Sequence, residues 1–216
     1  MNSHSSLEAL RQKYSEEGLE LTRLNADPLL QFQAWYQQAV NSEIPEPNGM
    51  CLATATRSAA PSLRTVLMKS YDKNGFIFYT NFGSRKAKQI EENKQVSLIF
   101  PWIALHRQVI IEGSAEKIST AESMKYFATR PRGSKLGAWS SHQSEVINTR
   151  SMLDAKLEEV KSKFAKGDIP LPSFWGGYRV KPVRIEFWQG RQHRLHDRFL
   201  FSLTPADTWK VERLSP

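Results

Sequence analysis

The chain has 216 residues, of which 40% are hydrophobic and 24% charged; this is ordinary globular usage and excludes a disordered or collagen-like chain. A single cysteine, Cys51, excludes an intramolecular disulfide framework and a cysteine-rich zinc site, and suits a reducing compartment. Thirty Lys and Arg against twenty-two Asp and Glu leave a net charge of +8, which favours an anionic partner: nucleic acid, an acidic membrane surface or a phosphorylated small molecule.

The opening residues, Met1 to Glu8, carry no apolar secretory signal. Ser5 or Ser6 caps an expected helix over Leu7 to Glu17, stopped by Gly18. Asp27-Pro28 then opens a helix to about Val40, with Phe32, Trp35, Tyr36 and Ala39 as its apolar stripe. Past a proline-bearing linker, Met50 to Thr56 and Leu63 to Lys69 read as strands. Asn74-Gly75 marks a hairpin turn into Phe76 to Thr80, and Ser84 caps a helix to about Asn93. Strands are expected over Val96 to Trp102 and Arg107 to Ile118. The apolar run Val96 to Leu105 is broken by Ser97 and Pro101 and falls short of a membrane span.

Ser119-x-x-Glu122 is a capping box for a helix from Thr120 to about Thr129, ended by Pro131. Residues 133 to 148 read as irregular or as a short helix, and Met152 to Phe164 as a charged amphipathic helix. Gly176-Gly177 reads as a turn, followed by strands over Tyr178 to Gln189, His193 to Leu203 and Trp209 to Leu214. Short connections imply antiparallel pairing, so the expected fold class is α+β, an antiparallel barrel of about seven strands with helices outside.

The chain has neither the dinucleotide nor the P-loop glycine pattern, and Ser141-His142 lacks a nucleophile elbow. His193 and His196 fall on opposite faces of their expected strand, so no metal site is predicted. The cations fall in four groups. Arg64 and Lys69 end one strand. Arg85 and Lys86 follow a glycine loop at a helix start, where free N–H groups attract an anion. Tyr126 and Arg130 share a helix face ahead of Ser134, where the helix C-terminal half-charge disfavours a phosphate. A full cation at about 4 Å, contributing about 4 kcal/mol at an effective dielectric near 20, offsets it. Finally, alternation places Arg194, His196 and Arg198 on one strand face, and the flanking Phe187, Trp188, Phe199 and Phe201 suggest that this face is buried and needs an anion.

Together Arg64-Thr-Val-Leu-Met-Lys69, Phe78-Tyr-Thr-Asn81, Gly83-Ser-Arg-Lys86, Pro172-Ser-Phe-Trp-Gly-Gly177, Ile185-Glu-Phe-Trp-Gln-Gly190 and His193-Arg-Leu-His-Asp-Arg-Phe199 resemble the pyridoxine/pyridoxamine 5′-phosphate oxidase family, from about Leu7 to the last residue. The resemblance implies an FMN-binding split β-barrel, a homodimer with flavin at the subunit interface; the cytoplasmic location is read from the single cysteine and the absence of a signal or membrane span. It implies oxidation of pyridoxine or pyridoxamine 5′-phosphate to pyridoxal 5′-phosphate in vitamin B6 biosynthesis and salvage. Oxygen is the acceptor, H2O2 a product, and ammonia is released from the amine. The flavin carries the redox chemistry while the protein positions the substrate.

Carried over by position, the implied flavin site comprises Arg64, Thr65, Val66, Leu67, Met68, Lys69, Tyr79, Thr80, Arg85, Lys86, Gln108, Gln143, Ser144, Trp188 and Arg198. Lys69, Tyr126, Arg130 and Ser134 would meet the substrate phosphate. Arg194, Leu195 and His196 would lie against the pyridine ring, Arg194 and His196 as the catalytic pair. Residues 1–20, with Arg11 and Tyr14, would form a mobile cover over a single domain, residues 21–216. Gly133 and Lys135 depart from the family pattern around the substrate serine. Two rivals are a nucleic-acid-binding barrel, which requires exposed stacking aromatics on one face, and a split-barrel flavoprotein of another activity.

Overall fold

The computed structural model describes residues 18–141 and 143–216, so the expected helix over Leu7 to Glu17, with Arg11 and Tyr14, lies outside the described residues. In chain order the elements are α1 (Pro28–Asn41), β1 (Gly49–Ala55), β2 (Pro61–Leu67), β3 (Ser70–Asp72), β4 (Gly75–Asn81), α2 (Arg85–Glu92), β5 (Gln95–Trp102) and β6 (Arg107–Lys117). They continue with α3 (Thr120–Thr129), α4 (Arg132–Ser140), α5 (Arg150–Lys163), β7 (Trp175–Gln189), β8 (Asp197–Leu203) and β9 (Trp209–Leu214). Among the described residues the strands follow the hydrogen-bonded order β2-β1-β5-β6-β7-β4-β3, with β8 pairing β7 and β9 pairing β8. The pairings β1–β2, β3–β4, β4–β7, β7–β8 and β8–β9 are all antiparallel, as short connections require.

The chain divides into two compact units, one of residues 18–47, 99–111 and 184–216, the other of 48–98 and 112–183. In the first, Asp27 accepts a hydrogen bond from the Leu29 N–H at 2.8 Å, and Pro28 needs no partner at the helix start. Phe32, Trp35 and Ala39 then recur on one buried face of α1. Phe32 packs on Phe100 with ring centres 5.0 Å apart, and Trp35 meets Phe187 edge-on at 5.3 Å.

In the second unit, both predicted helix starts form. Ser84 caps α2 through the Ala87 N–H at 3.4 Å, and Ser119 and Glu122 form the full capping box of α3. The β3–β4 turn falls at Lys73-Asn74, one residue earlier than Asn-Gly implies, because Asp72 pairs with Gly75. Gly75 has φ +123°, and a Cβ there would lie 2.0 Å from the Val180 carbonyl oxygen, so no other residue fits.

Two expectations are corrected. Gly176-Gly177 is not a turn but part of β7, paired with Thr80 and Tyr79. A Cβ at Gly177 would meet Ile118 Cδ1 at 2.5 Å and the Tyr79 ring at 2.9 Å, so the glycine permits close packing. The expected strand from His193 begins only at Asp197. Gln192–Arg194 is a 3-10 turn in which His193 and Arg194 have φ of 57° and 62°, values a strand excludes. Arg194, His196 and Arg198 therefore do not share a strand face, and the alternation argument against a two-histidine metal site loses its premise. Among the described residues no group of three His, Cys, Asp or Glu side chains is placed to hold a metal ion.

Candidate active site

A cavity of about 470 Å³ lies in the second unit, within the size range of small-ligand sites. From β2 come Thr65, Val66 and Leu67, and Lys69 follows just beyond the strand end. From β4 come Tyr79, Thr80 and Asn81, and from α2 the buried Lys86. Tyr126, Arg130, Ser134, Gly137, Ala138, Ser141, Gln143 and Trp175 complete the wall.

Among the described residues the cavity's cations have no carboxylate partner. Lys86 is 9% exposed, and its Nζ donates to Thr80 Oγ1 at 3.1 Å and to Gln143 Oε1 at 3.0 Å, both neutral acceptors. Burial first, and the Arg64 charge second, push the ammonium down to about 8. Arg64 donates to the Leu52 carbonyl oxygen at 3.0 Å, Thr54 Oγ1 at 2.6 Å and Ser62 Oγ at 2.5 Å. Burial and the neighbouring Arg85 hold it below the ordinary guanidinium value. Arg64 and Arg85 line a second pocket with Ser144; it shares Thr65, Lys86 and Gln143 with the first. Three cations thus converge where none has an anionic partner among the described residues. That arrangement fits a phosphate ester, whose oxygens accept what the Lys and Arg groups donate.

The other cation group forms as the sequence implied, with its geometry corrected. Arg130 is not on the α3 face but caps the helix in extended backbone, and its guanidinium lies 4.6 Å over the Trp175 ring. Its Nη1 is buried and has no hydrogen-bond partner among the described residues. Ser134 lies in the first turn of α4, so the unfavourable half-charge expected from α3 is joined by the favourable one of a helix start. Tyr126 stacks on Tyr79 with ring centres 3.9 Å apart, and Tyr79 on Trp175 at 5.3 Å. Burial, Tyr126 and then Glu122 push the Tyr79 hydroxyl up to about 12, so it remains a neutral donor at ordinary pH.

Met68 lines neither pocket: its side chain is buried, and its backbone bonds to Asn48 on both sides. Asn81, Gly137, Ala138, Ser141 and Trp175 were not predicted. Ser134, Gly137, Ala138 and Ser141 follow helical spacing, a signal readable once α4 is recognised. Asn81 holds the wall in shape, donating to the Ser141 carbonyl oxygen at 3.0 Å and accepting from the Gly83 N–H at 2.7 Å.

The remaining predicted residues belong to the first unit. Trp188 and Arg198 are register partners across β7 and β8, and the Trp188 and His196 ring centres are 4.6 Å apart. Arg198 is not an unpaired cation: Glu186 accepts from it at 2.8 and 3.1 Å. Gln108 is half-buried on β6, and Arg194 and Leu195 are exposed. The expectation that Arg194 is buried is therefore corrected for this chain: the 3-10 turn carries it outward.

The family described as pyridoxamine 5′-phosphate oxidase matches residues 36–164, and the pyridoxine 5′-phosphate oxidase C-terminal dimerisation region matches residues 175–216. Pyridoxine/pyridoxamine 5′-phosphate oxidase of Rippkaea orientalis is 59% identical over 96% of this chain and 98% of its own length. That of Yersinia pestis bv. Antiqua is 50% identical over 100% and 99%. Among solved structures, PhzG from Burkholderia lata, in complex with tetrahydrophenazine-1-carboxylic acid, superposes with a TM-score of 0.85 at 29% identity, covering 90% of this chain and 95% of that one. A pyridoxamine 5′-phosphate oxidase-related, FMN-binding protein from Nostoc punctiforme shares the fold, with a TM-score of 0.71 at 16% identity over 89% and 100% of the two chains. By sequence over its whole length and by its α+β split-barrel fold, the chain belongs to the pyridoxine/pyridoxamine 5′-phosphate oxidase family.

Proposed function

We propose that the protein is an FMN-dependent oxidase that converts pyridoxine 5′-phosphate and pyridoxamine 5′-phosphate to pyridoxal 5′-phosphate, with O2 as acceptor and H2O2 as product, and ammonia released from the amine. It acts as a homodimer with the flavin at the subunit interface, in keeping with its dimerisation region. The observation that carries this reading is a set of cations, Lys86 buried, Arg64 and Arg130 half-buried, Arg85 and Lys69 exposed, that have no carboxylate partner among the described residues and surround two pockets that share a wall. Two phosphorylated ligands held close together need such a set; a nucleic-acid surface does not need it enclosed. We place the enzyme in the cytoplasm, where the free Cys51 stays reduced. Among the described residues no helix is long and apolar enough to cross a membrane.

FMN, when bound, supplies the redox chemistry that removes two electrons from the substrate and delivers them to O2. Arg64, Arg85 and Lys86 would hold its phosphate, and Thr65, Val66, Leu67, Tyr79, Thr80, Gln143 and Ser144 would surround it; Gln108, Trp188 and Arg198 are assigned to the flavin on the sequence resemblance alone. Lys69, Tyr126, Arg130 and Ser134 hold the substrate phosphate, and the first turn of α4 adds its N–H groups. Arg194, Leu195 and His196 meet the pyridine ring and orient it. Holding the reacting parts together supplies much of the rate, so no single proton-transfer group need dominate.

The test is to load the purified protein with FMN and follow pyridoxal 5′-phosphate and H2O2 from pyridoxamine 5′-phosphate. Equal yields of the two products support the reading. A protein that binds no flavin, or binds it and oxidises neither substrate, would refute it.

A further inference from the structure

The turn carrying Arg194 and His196 is held in an unfavourable backbone conformation. His193 and Arg194 both have positive φ, although neither is glycine, and such residues persist only where the surroundings fix them. The ties converge on Asp197, the first residue of β8, whose side chain is only 14% exposed. Its Oδ1 accepts from Arg213 Nη1 at 2.7 Å, and its Oδ2 accepts from the Leu19 N–H at 2.9 Å. Arg191 Nε, at the other end of the turn, lies 3.8 Å from the same Oδ2. Gly18 packs so closely that a Cβ there would fall 2.0 Å from Arg191 Nη1.

Arg191 in turn reaches the imidazole. Its backbone N–H donates to His196 Nδ1 at 3.1 Å. A nitrogen that accepts a hydrogen bond carries no proton, so the ring is neutral and its proton sits on Nε2. Burial and the Arg194 charge lower the His196 pKa, Asp197 opposing, which favours the same neutral form.

We propose that Asp197 is a positioning residue that, by clamping Arg191, fixes His196 as an Nε2–H donor aimed at the substrate ring. The direction toward substrate rests on the reading above; the clamp and the tautomer do not. In this state Nε2 donates a hydrogen bond to an acceptor atom of the ring and cannot take a proton from it. The Leu19 and Arg213 bonds fasten the clamp to both ends of the chain.

The test is a two-bond 1H–15N correlation spectrum of the FMN-loaded protein with labelled histidine, His196 being assigned by its loss in His196→Asn. The expected wild-type pattern is an Nε2–H tautomer. Asp197→Ala should turn it into an averaged pattern and lower kcat about 10- to 100-fold, with FMN content and KM within a few-fold of wild type. Asp197→Asn, which keeps an acceptor for the Leu19 N–H but not the charge, should lose less kcat and shift the spectrum in the same direction. It carries the test if the alanine variant does not fold. An Nδ1–H pattern in an active wild type, or an unchanged spectrum and kcat in the variants, would overturn the proposal. An inactive wild type whose Nε2–H pattern is lost in the variants would sink the functional reading and uphold the clamp.

Discussion

Lys86 donates to Gln143 Oε1 at 3.0 Å, an ammonium buried against a neutral amide where a carboxylate would be the usual partner. The charge is kept at a cost to the flavin-free protein, because burial holds the group at about 8. Replacing Lys86 with Met should therefore raise the melting temperature of flavin-free protein and weaken FMN binding about 10- to 100-fold, the worth of a hydrogen bond to a charged group, about 1.5–3 kcal/mol. Thermal unfolding and flavin fluorescence titration check both halves.

The same group sets a pH dependence. Between about 8 and 10.5 the unfolded chain holds the Lys86 proton and the folded flavin-free protein does not, so folding is disfavoured less as pH rises through that window. Below about 8 the penalty is complete and constant. FMN affinity runs the other way, falling as pH rises above about 8, because the neutral amine no longer attracts a phosphate. Titration of flavin-free protein at pH 7 and pH 9 should show weaker binding at pH 9, and Lys86→Met should flatten the difference.

Arg130 has a buried Nη1 without a partner among the described residues and a guanidinium stacked over Trp175. Arg130→Ala should raise KM for pyridoxamine 5′-phosphate about 10- to 100-fold while the protein retains its FMN. Steady-state kinetics with a flavin count per subunit separates the two ligands. An unchanged KM would remove Arg130 from the substrate phosphate.

Gly137 sits inside α4, where alanine is favoured by about 0.5–1 kcal/mol, and a Cβ there meets no atom within 4 Å. Gly137 is also one of the residues that line the cavity. Gly137→Ala should stabilise the flavin-free protein by about that amount and weaken ligand binding. A destabilised variant would show that the space is not free.

What the sequence revealed depended on how local the cause was. Ser84 and Ser119 cap α2 and α3 through bonds spanning three residues, so both helices could be read directly. The α4 helix was obscured by Gly133 and Gly137, poor helix formers; Leu136, packed in a core cluster with Phe127 and Trp175, is what tertiary contact adds. Gly176-Gly177 imitated a turn because the need for glycine there comes from residues distant in sequence, Phe82 and Ser123 at Gly176 and Ile118 and Tyr79 at Gly177. The alternation of Arg194, His196 and Arg198 imitated a strand, and positive φ at His193 and Arg194 leaves no glycine to betray it. Three of the four cation groups were legible because they gather by short spacing. The carboxylate that neutralises Arg198 comes from Glu186, on the facing strand.

The central claim is that Arg64, Arg85 and Lys86 have no carboxylate partner among the described residues because they hold a phosphoryl group, and comparing FMN with riboflavin tests it most directly. Fluorescence quenching on flavin-free protein should show FMN bound at least about 100-fold more tightly, equivalent to about 2.7 kcal/mol, with the difference shrinking as salt rises. Equal affinity for the two flavins, at low salt and at high, would contradict it.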